Sequence, residues 1–415
     1  MPCHAFTDEL LLLACGQFIV SEAQIDRLLR ADVSFSNDPP ERFADEIAQR
    51  CKALGIDRLI PDDLDEDGDS LEQLPAEPES TPAAQTRPFA QEVVAARRIR
   101  REAIRQVATL IEQARSGQVL DLRPVRSTVR HVVASLRCNH RAFASLLHLK
   151  SLDAYTYTHS LNNCVLSVLL AQRTGLGPEA EIIGLGAVLH DIGKVRLPED
   201  LLRKPAALTD YEWRLVKEHP AAGVEIAQLT GSAQEPAVAA ISQHHERLNG
   251  TGYPAGLRDE EISLAGRIVA IADVYDAMTS DRPYHQAISP PQAMRSLFEQ
   301  RGDFFDPHLA RLFVEAVGLF PIGSLVRLSS GELGIVAEVN PQSIWRPKVL
   351  IVPGLCGAPQ GELRLLDLSQ TPPSGVGKEI VGMEDPTKFP VDVDDYLARA
   401  PELAAAEDIG LDLRA

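Results

Sequence analysis

The sequence predicts a mainly α-helical protein with a small α+β module at its N-terminal end and a small β-meander near its C-terminal end. Three observations predict this. From about 151 to 318 helical patterns dominate, broken by Gly177-Pro178, by Lys204-Pro205 and by a glycine-rich loop at 250–256. Beyond Pro321-Ile322-Gly323 the pattern becomes short alternating runs at 325–328, 334–339 and 348–352, the first two joined by a Ser-Ser-Gly-Glu turn. Charge, finally, sets the first 86 residues apart, with 19 Asp and Glu against 6 Lys and Arg.

The chain has 415 residues, enough for two or three domains, and its 45% hydrophobic and 24% charged residues are those of a soluble globular protein. Its 41 basic and 59 acidic residues leave a net charge of −18. That excludes general nucleic-acid binding, which needs a broad positive surface. A local basic pocket for one small phosphorylated ligand stays open. The longest apolar run, 10–20, is interrupted by Gly16 and Gln17 and preceded by Asp8 and Glu9. It is too short to span a bilayer and lacks the basic flank of a signal peptide. The six cysteines are scattered with no CxxC pair, which excludes a disulfide scaffold and a thiolate zinc site. A cytoplasmic protein with no membrane association is expected.

Residues 1–74 form the acidic module, of no recognisable family and too short for a receiver domain. The acidic run at 62–69 lacks the spaced ligands and closing Glu of a calcium loop, and reads as the approach to a Pro/Glu/Ser/Thr linker at 75–88. In 89–150 the charge reverses to twelve basic residues against four acidic ones. Here Val94, Ile99, Ala103, Val107, Leu110 and Ile111, then Val125, Val129, Val132, Val133 and Leu136, predict basic amphipathic helices. Their basic face is either solvated or attracts an anionic ligand or the acidic module, and a homodimer through them is conceivable. A catalytic domain over 151–320, a β element over 321–370 and an acidic tail over 371–415, with one short helix near 393–406, complete the chain.

Five segments place an imidazole or carboxylate where periodicity predicts burial. His159 opens the apolar stretch 161–170, and His190-Asp191 ends the run 182–189. His219 stands in Lys217-Glu218-His219-Pro220, His244-His245 follows 238–243, and Asp273 lies in the run 268–275. Burying an unpartnered polar group costs roughly 2–7 kcal/mol, so five together call for a shared cause. A metal supplies it, because neutral imidazoles and ionised carboxylates become its ligands. Adjacent residues point about 100° apart on a helix, so His190 can face one cation while Asp191, with two oxygens, reaches two. Five His and two Asp with no Cys suit Fe or Mn ahead of Zn. Two cations stabilise both oxygens of an in-line phosphoryl displacement and turn a bridging water into hydroxide. Lys194, one turn on, holds a phosphate oxygen or protonates the leaving alkoxide. The chemistry indicated is phosphoester hydrolysis.

The segments His190-Asp191-Ile192-Gly193-Lys194 and His244-His245-Glu246-Arg247-Leu248-Asn249-Gly250-Thr251-Gly252-Tyr253-Pro254 resemble the two defining motifs of the HD-GYP family, a subgroup of the HD metal-dependent phosphohydrolases. The flanks at 155–160, 204–209 and 273–284 are similar too, and the likeness runs from about 95 to 318. The resemblance implies an HD-type helical bundle around a metal centre and a phosphodiesterase acting on cyclic di-GMP, opening it to pGpG and often on to GMP. It implies one metal on His159, His190, Asp191 and Asp273, and a second sharing Asp191 and adding His219, His244 and His245. Asp191 and Lys194 would be catalytic. Lys194, Asp276, Arg282 and the loop of Gly252 and Tyr253 would meet the substrate, Tyr253 either stacking on it or bracing the loop. Some members carry a Glu one turn before the first His that adds ligation for a third metal; Tyr155 stands there, so a binuclear site is expected. The loop more commonly has Asp where this chain has Asn249, which keeps the turn and loses a charge. Another cyclic dinucleotide as substrate, or a role as sensor or adaptor, are the alternatives. The resemblance also implies diguanylate cyclases or adaptor proteins as partners.

Overall fold

The computed structural model describes residues 89–145, 147, 155–202, 204, 206–280, 287–355, 363–370 and 378–399. The acidic module, the linker and Arg282 lie outside the described residues.

Helix α1 (Phe89–Arg115) and helix α2 (Leu122–Ser145) pack on one another. Val93, Ala96, Ile99, Ala103, Val107 and Leu110 make the buried stripe of α1, while Val125, Val129, Val132 and Leu136 make that of α2. The three- and four-residue steps between them put each set on one face. The basic face is used within the chain. Arg97 pairs with Asp394 at 2.7 Å, Arg141 with Glu338 at 3.4 Å, and Arg126 and Arg130 both stand 3.8 Å from Glu181. Such pairs are worth little individually, but they fix how the two helices meet their neighbours.

Helix α3 (Tyr155–Arg173) is buried all round from 161 to 171. A helix with no polar face has to run through the core, and α3 touches α1, α2, α4 (Ala180–Leu189), α8 (Leu264–Thr279) and α10 (Pro307–Val317). The other helices are a short α5 (Asp210–Val216), α6 (His219–Gln228), α7 (Glu235–Gln243), which packs on α4, α6 and α8, and α9 (Pro290–Glu299), which packs on α8 and α10. Between α4 and α5, a 3-10 turn at Ile192–Arg196 packs on α6. Helix α4 sits close to α2, α3 and α7 because Gly184 and Gly186 offer no side chain. A Cβ on Gly186 would lie 2.7 Å from Ala240 Cβ and 2.9 Å from Ala237 Cα, on α7.

Five strands follow: β1 (Leu325–Leu328), β2 (Leu333–Glu338), β3 (Lys348–Ile351), β4 (Arg364–Asp367) and β5 (Ile380–Glu384). They form one antiparallel sheet in the order β4-β3-β2-β1-β5, with Val326 opposite Gly334 on one side and Met383 on the other. The sequence places only a tail with a short helix beyond 371, but β5 comes from there. Its Ile380-Val381-Gly382-Met383-Glu384 is too short and too mixed to stand out as a strand before pairing. Helix α11 (Val393–Arg399) then packs on α1. No helix among the described residues is long and apolar enough to cross a membrane.

The close contact at Gly186 makes a direct prediction. Gly186→Ala should destabilise the domain by about 1–3 kcal/mol through overpacking against α7, seen as a lower melting temperature. An unchanged melting temperature would show that α4 and α7 do not need this approach.

Candidate metal centre

The ends of helices build the site. His190 caps the C-terminus of α4, and Asp191 leads into the 3-10 turn. His219 is the first residue of α6, with Pro220 next to it pre-set for a helix start. His244 caps the C-terminus of α7 and His245 follows it. From within helices come His159 on α3 and Asp273 and Asp276 on α8. The seven residues expected to bind metal thus meet in one place. Asp191, His219, His244 and His245 each bring a ligand atom within 4.8 Å of the others, and so do His159, His190 and Asp191, and His190, His244 and Asp273. His190 and His244 are wholly buried.

Hydrogen bonds set the imidazole tautomers. Nδ1 of His190 lies 2.7 Å from the Ala187 carbonyl, Nδ1 of His219 2.7 Å from that of Val216, and Nδ1 of His244 2.9 Å from that of Ile241. A carbonyl only accepts, so each Nδ1 carries the proton and each Nε2 presents a lone pair to the cluster. His159 is held at Nδ1 by a different partner: its Nδ1–H donates to Asp276 Oδ2 at 2.7 Å. The consequence is that Nε2 of His219 and Nε2 of His244 face each other 3.3 Å apart, lone pair to lone pair. Nε2 of His190 and Oδ1 of Asp191 are buried and have no hydrogen-bond partner. Two orphaned buried acceptors inside a cluster of His and Asp ligand atoms fit a cation.

Asp191 divides the cluster. Its Oδ1 is 3.2 Å from His219 Nε2 and 3.9 Å from His244 Nε2. Its Oδ2 is 3.4 Å from His190 Nε2, 4.0 Å from His159 Nε2 and 2.5 Å from Lys194 Nζ. Asp273 Oδ1 faces His159 and His190, at 3.1 and 3.7 Å, and its Oδ2 faces His245 Nδ1 at 4.0 Å. Burial works against the charge on Asp191, but Lys194 and His190 outweigh it and hold the carboxyl well below its usual range. Burial likewise opposes ionisation of Asp273, and His159 and His190 overcome it. Burial pushes His244 down and His245 down to about 3, so both stay neutral at pH 7. His159 is the exception: burial disfavours its cation, but the carboxylates of Asp273 and Asp276 raise it to about 9. A cation beside Nε2 would compete with that proton for the same lone pair.

The residues expected to meet substrate fall in different places. Lys194 stands at the edge, its side chain 35% exposed. Asp276 does not face the open side of the cluster. It is buried, with Oδ2 accepting from His159 Nδ1 and Oδ1 accepting from Asn162 Nδ2 at 2.9 Å, so both of its oxygens are engaged behind His159. At Gly252 a Cβ would lie 2.4 Å from Arg247 N and 2.5 Å from Glu246 Cα. Its missing side chain lets the loop close on its own backbone. Tyr253 stacks on His245 with centroids 4.6 Å apart and planes at 28°, which braces that imidazole. Asn249 Oδ1 accepts from the backbone N and Oγ1 of Thr251 at 3.0 and 2.6 Å, so the turn survives without the aspartate charge.

Two residues escaped the sequence reading. Asn162 holds Asp276, and an amide in an apolar helix reads as ordinary. Glu246, buried beside the ligand pair, accepts from three backbone amides across the loop: Ala255 at 2.7 Å, Gly256 at 3.2 Å and Leu257 at 3.0 Å. An acidic residue directly after His244-His245 was the available signal.

Residues 142–309 match the HD domain family. The chain is 42% identical over 246 residues to the cyclic di-GMP phosphodiesterase PA4108 of Pseudomonas aeruginosa, covering 59% of each protein. It is 46% identical over 144 residues to the cyclic di-GMP phosphodiesterase response regulator RpfG of Xanthomonas campestris, covering 34% of this chain and 37% of that one. It is also 35% identical over 208 residues to the 3'3'-cGAMP-specific phosphodiesterase 3 of Vibrio cholerae, covering 50% of this chain and 44% of that one. The chain therefore spans between roughly two fifths and three fifths of the length of these relatives.

Asp276→Asn should weaken divalent-metal affinity by about 10–100-fold, because His159 loses the charge that orients it. A metal titration followed by calorimetry reads this, and unchanged affinity would contradict the role assigned to Asp276. Glu246→Ala should leave three loop amides without their acceptor. Hydrogen exchange at Ala255, Gly256 and Leu257 should then speed up by about tenfold or more, as expected for losing charged hydrogen bonds.

Proposed function

We propose that this chain, whose residues 142–309 match the HD domain family, is a metal-dependent phosphodiesterase of the HD-GYP kind that opens cyclic di-GMP to pGpG, with GMP as the further product. The observation that carries this reading is the single carboxylate of Asp191 with one oxygen toward His219 and His244 and the other toward His190 and His159. That is the donor arrangement for two cations sharing one ligand. His159, His190, Asp191 and Asp273 would hold one, and Asp191, His219, His244 and His245 the other. Five imidazoles and two carboxylates without a thiolate favour iron or manganese over zinc. The names of the P. aeruginosa and X. campestris relatives support the substrate. A cytoplasmic setting belongs to the same proposal.

Bound there, divalent cations supply positive charge for the phosphoryl oxygens and acidify water. What the chain itself does follows from the geometry. Carbonyls and Asp276 hold four imidazoles in one tautomer, so the donors need no rearrangement when substrate arrives. Tyr253 keeps His245 from rotating away. The buried walls of α3, α4, α7 and α8 exclude bulk water behind the reacting phosphate and strengthen every charge interaction in front of them. Lys194, poised beside Asp191 at the edge, holds a phosphate oxygen or gives its proton to the leaving 3′ oxygen.

A second reading has a specific observation behind it: the V. cholerae relative is named for 3'3'-cGAMP, so another cyclic dinucleotide is the rival substrate. Turnover of both dinucleotides by one preparation separates the two.

The test is hydrolysis by protein prepared without oxygen and loaded in turn with Fe(II), Mn(II) or Zn(II). Cyclic di-GMP should be cleaved, and Asp191→Ala should lower the rate by roughly a hundredfold or more. A folded, metal-loaded protein that binds cyclic di-GMP and leaves it intact would sink the reading. Lys194→Ala should slow cyclic di-GMP by about 10²–10⁴-fold and an activated nitrophenyl diester, whose leaving group needs no proton, by much less. Equal losses on both would assign Lys194 to the phosphate instead.

A further inference from the structure

Helix α5 has no buried residue, yet it is firmly held. Thr209 and Glu212 form a reciprocal capping box, with Glu212 N donating to Thr209 Oγ1 at 3.3 Å and Thr209 N donating to Glu212 Oε2 at 2.7 Å. Lys204 Nζ clamps the same carboxylate at 2.6 Å and pulls Glu212 down to a pKa of about 2. Seven residues are too few to be helical alone, and the core does not recruit them, so local polar contacts keep the helix in place. What the helix presents is Trp213. Its indole is 45% exposed and meets the edge of Tyr253 at 6.3 Å, while the face of Tyr253 is taken by His245. Lys217, at the end of the helix, sets its ammonium 5.7 Å from the Trp213 ring and 5.3 Å from the Tyr253 ring, two residues before His219.

We propose that Trp213 and Lys217 form a substrate subsite at the rim of the metal centre, Trp213 stacking on a purine base and Lys217 meeting a phosphate. It rests on the reading of the site as one for a cyclic dinucleotide. A large aromatic side chain left nearly half in water beside a charged pocket is the platform on which bases stack, and stacking does not depend on which purine is offered. The neighbouring cation matters in a chain with a net charge of −18, because it adds local attraction for a phosphodiester beside Lys194. One face of Tyr253 is already stacked on His245, which leaves Trp213 the more open ring. The subsite therefore supplies affinity for the nucleotide and no preference between guanine and adenine.

The chain has two tryptophans, and the other, Trp345, is exposed in the connection between β2 and β3, so Trp345→Phe leaves Trp213 as the sole indole reporter. In that metal-loaded protein GMP should quench the fluorescence and ribose 5-phosphate, which has no base, should not; Lys217→Ala should weaken GMP binding. In turnover, Trp213→Ala should raise the KM for cyclic di-GMP roughly tenfold with kcat changed by less than about twofold, and Trp213→Phe should restore most of the loss. Metal content should be the same in all variants. Fluorescence indifferent to GMP, or a KM untouched by Trp213→Ala in an active enzyme, overturns the subsite and leaves the phosphodiesterase reading standing. Quenching by GMP in a protein that does not cleave cyclic di-GMP supports the subsite and removes the phosphodiesterase reading.

Discussion

Two imidazole lone pairs facing each other across 3.3 Å in a buried space are the constraint on which the rest of this structure depends. Neither His219 nor His244 can turn away, because each is tied through Nδ1 to a carbonyl three residues back. Asp191 adds a negative oxygen to the same space, and Asp273 another close by. Such convergence is unfavourable for neutral protein atoms alone and favourable around positive charge. Placing the ligands at helix ends makes it affordable, since there the backbone carbonyls that fix the imidazoles are not all consumed by the helix ladder.

The supports lie behind the ligands, and they account for much of the local sequence. Asp276 and Asn162 stand behind His159, Tyr253 lies against His245, and Glu246 ties the loop that carries Tyr253. Gly252 lets that loop return onto Glu246 and Arg247. Around this frame α3 supplies a buried axis and α4 approaches closely through its glycines. The metal centre is thus backed by packed neighbours, while Lys194 and Trp213 at its edge are partly exposed.

Most of the cluster was legible in the sequence, because a histidine or aspartate inside an apolar run stands out against its surroundings. His159, His190, Asp191, His219, His244, His245 and Asp273 all carried that signal. Asp276 carried it too, and the structure places it behind His159. One helical turn separates it from Asp273, so both face the cluster side of α8, but periodicity does not distinguish the front of an imidazole from its back. Asn162 and Glu246 act only by hydrogen bonds that no periodicity reveals, to a partner 114 residues away for Asn162 and across a loop to amides nine to eleven residues on for Glu246. Strand β5 was invisible for a similar reason: its partner β1 lies some fifty residues earlier, and five mixed residues have no pattern until they pair. Trp213, in a helix that buries nothing, reads as surface until its neighbours are placed.

The claim at the centre of this account is that one carboxylate joins two cation sites. Metal stoichiometry tests it most directly, measured by elemental analysis and titration of the protein and of Asp191→Ala, with folding checked by circular dichroism. The account predicts two ions per native chain and the loss of both tight binding steps in the variant, because both sites share the missing oxygens. One ion in the native protein, or two tightly held ions in Asp191→Ala, would contradict it.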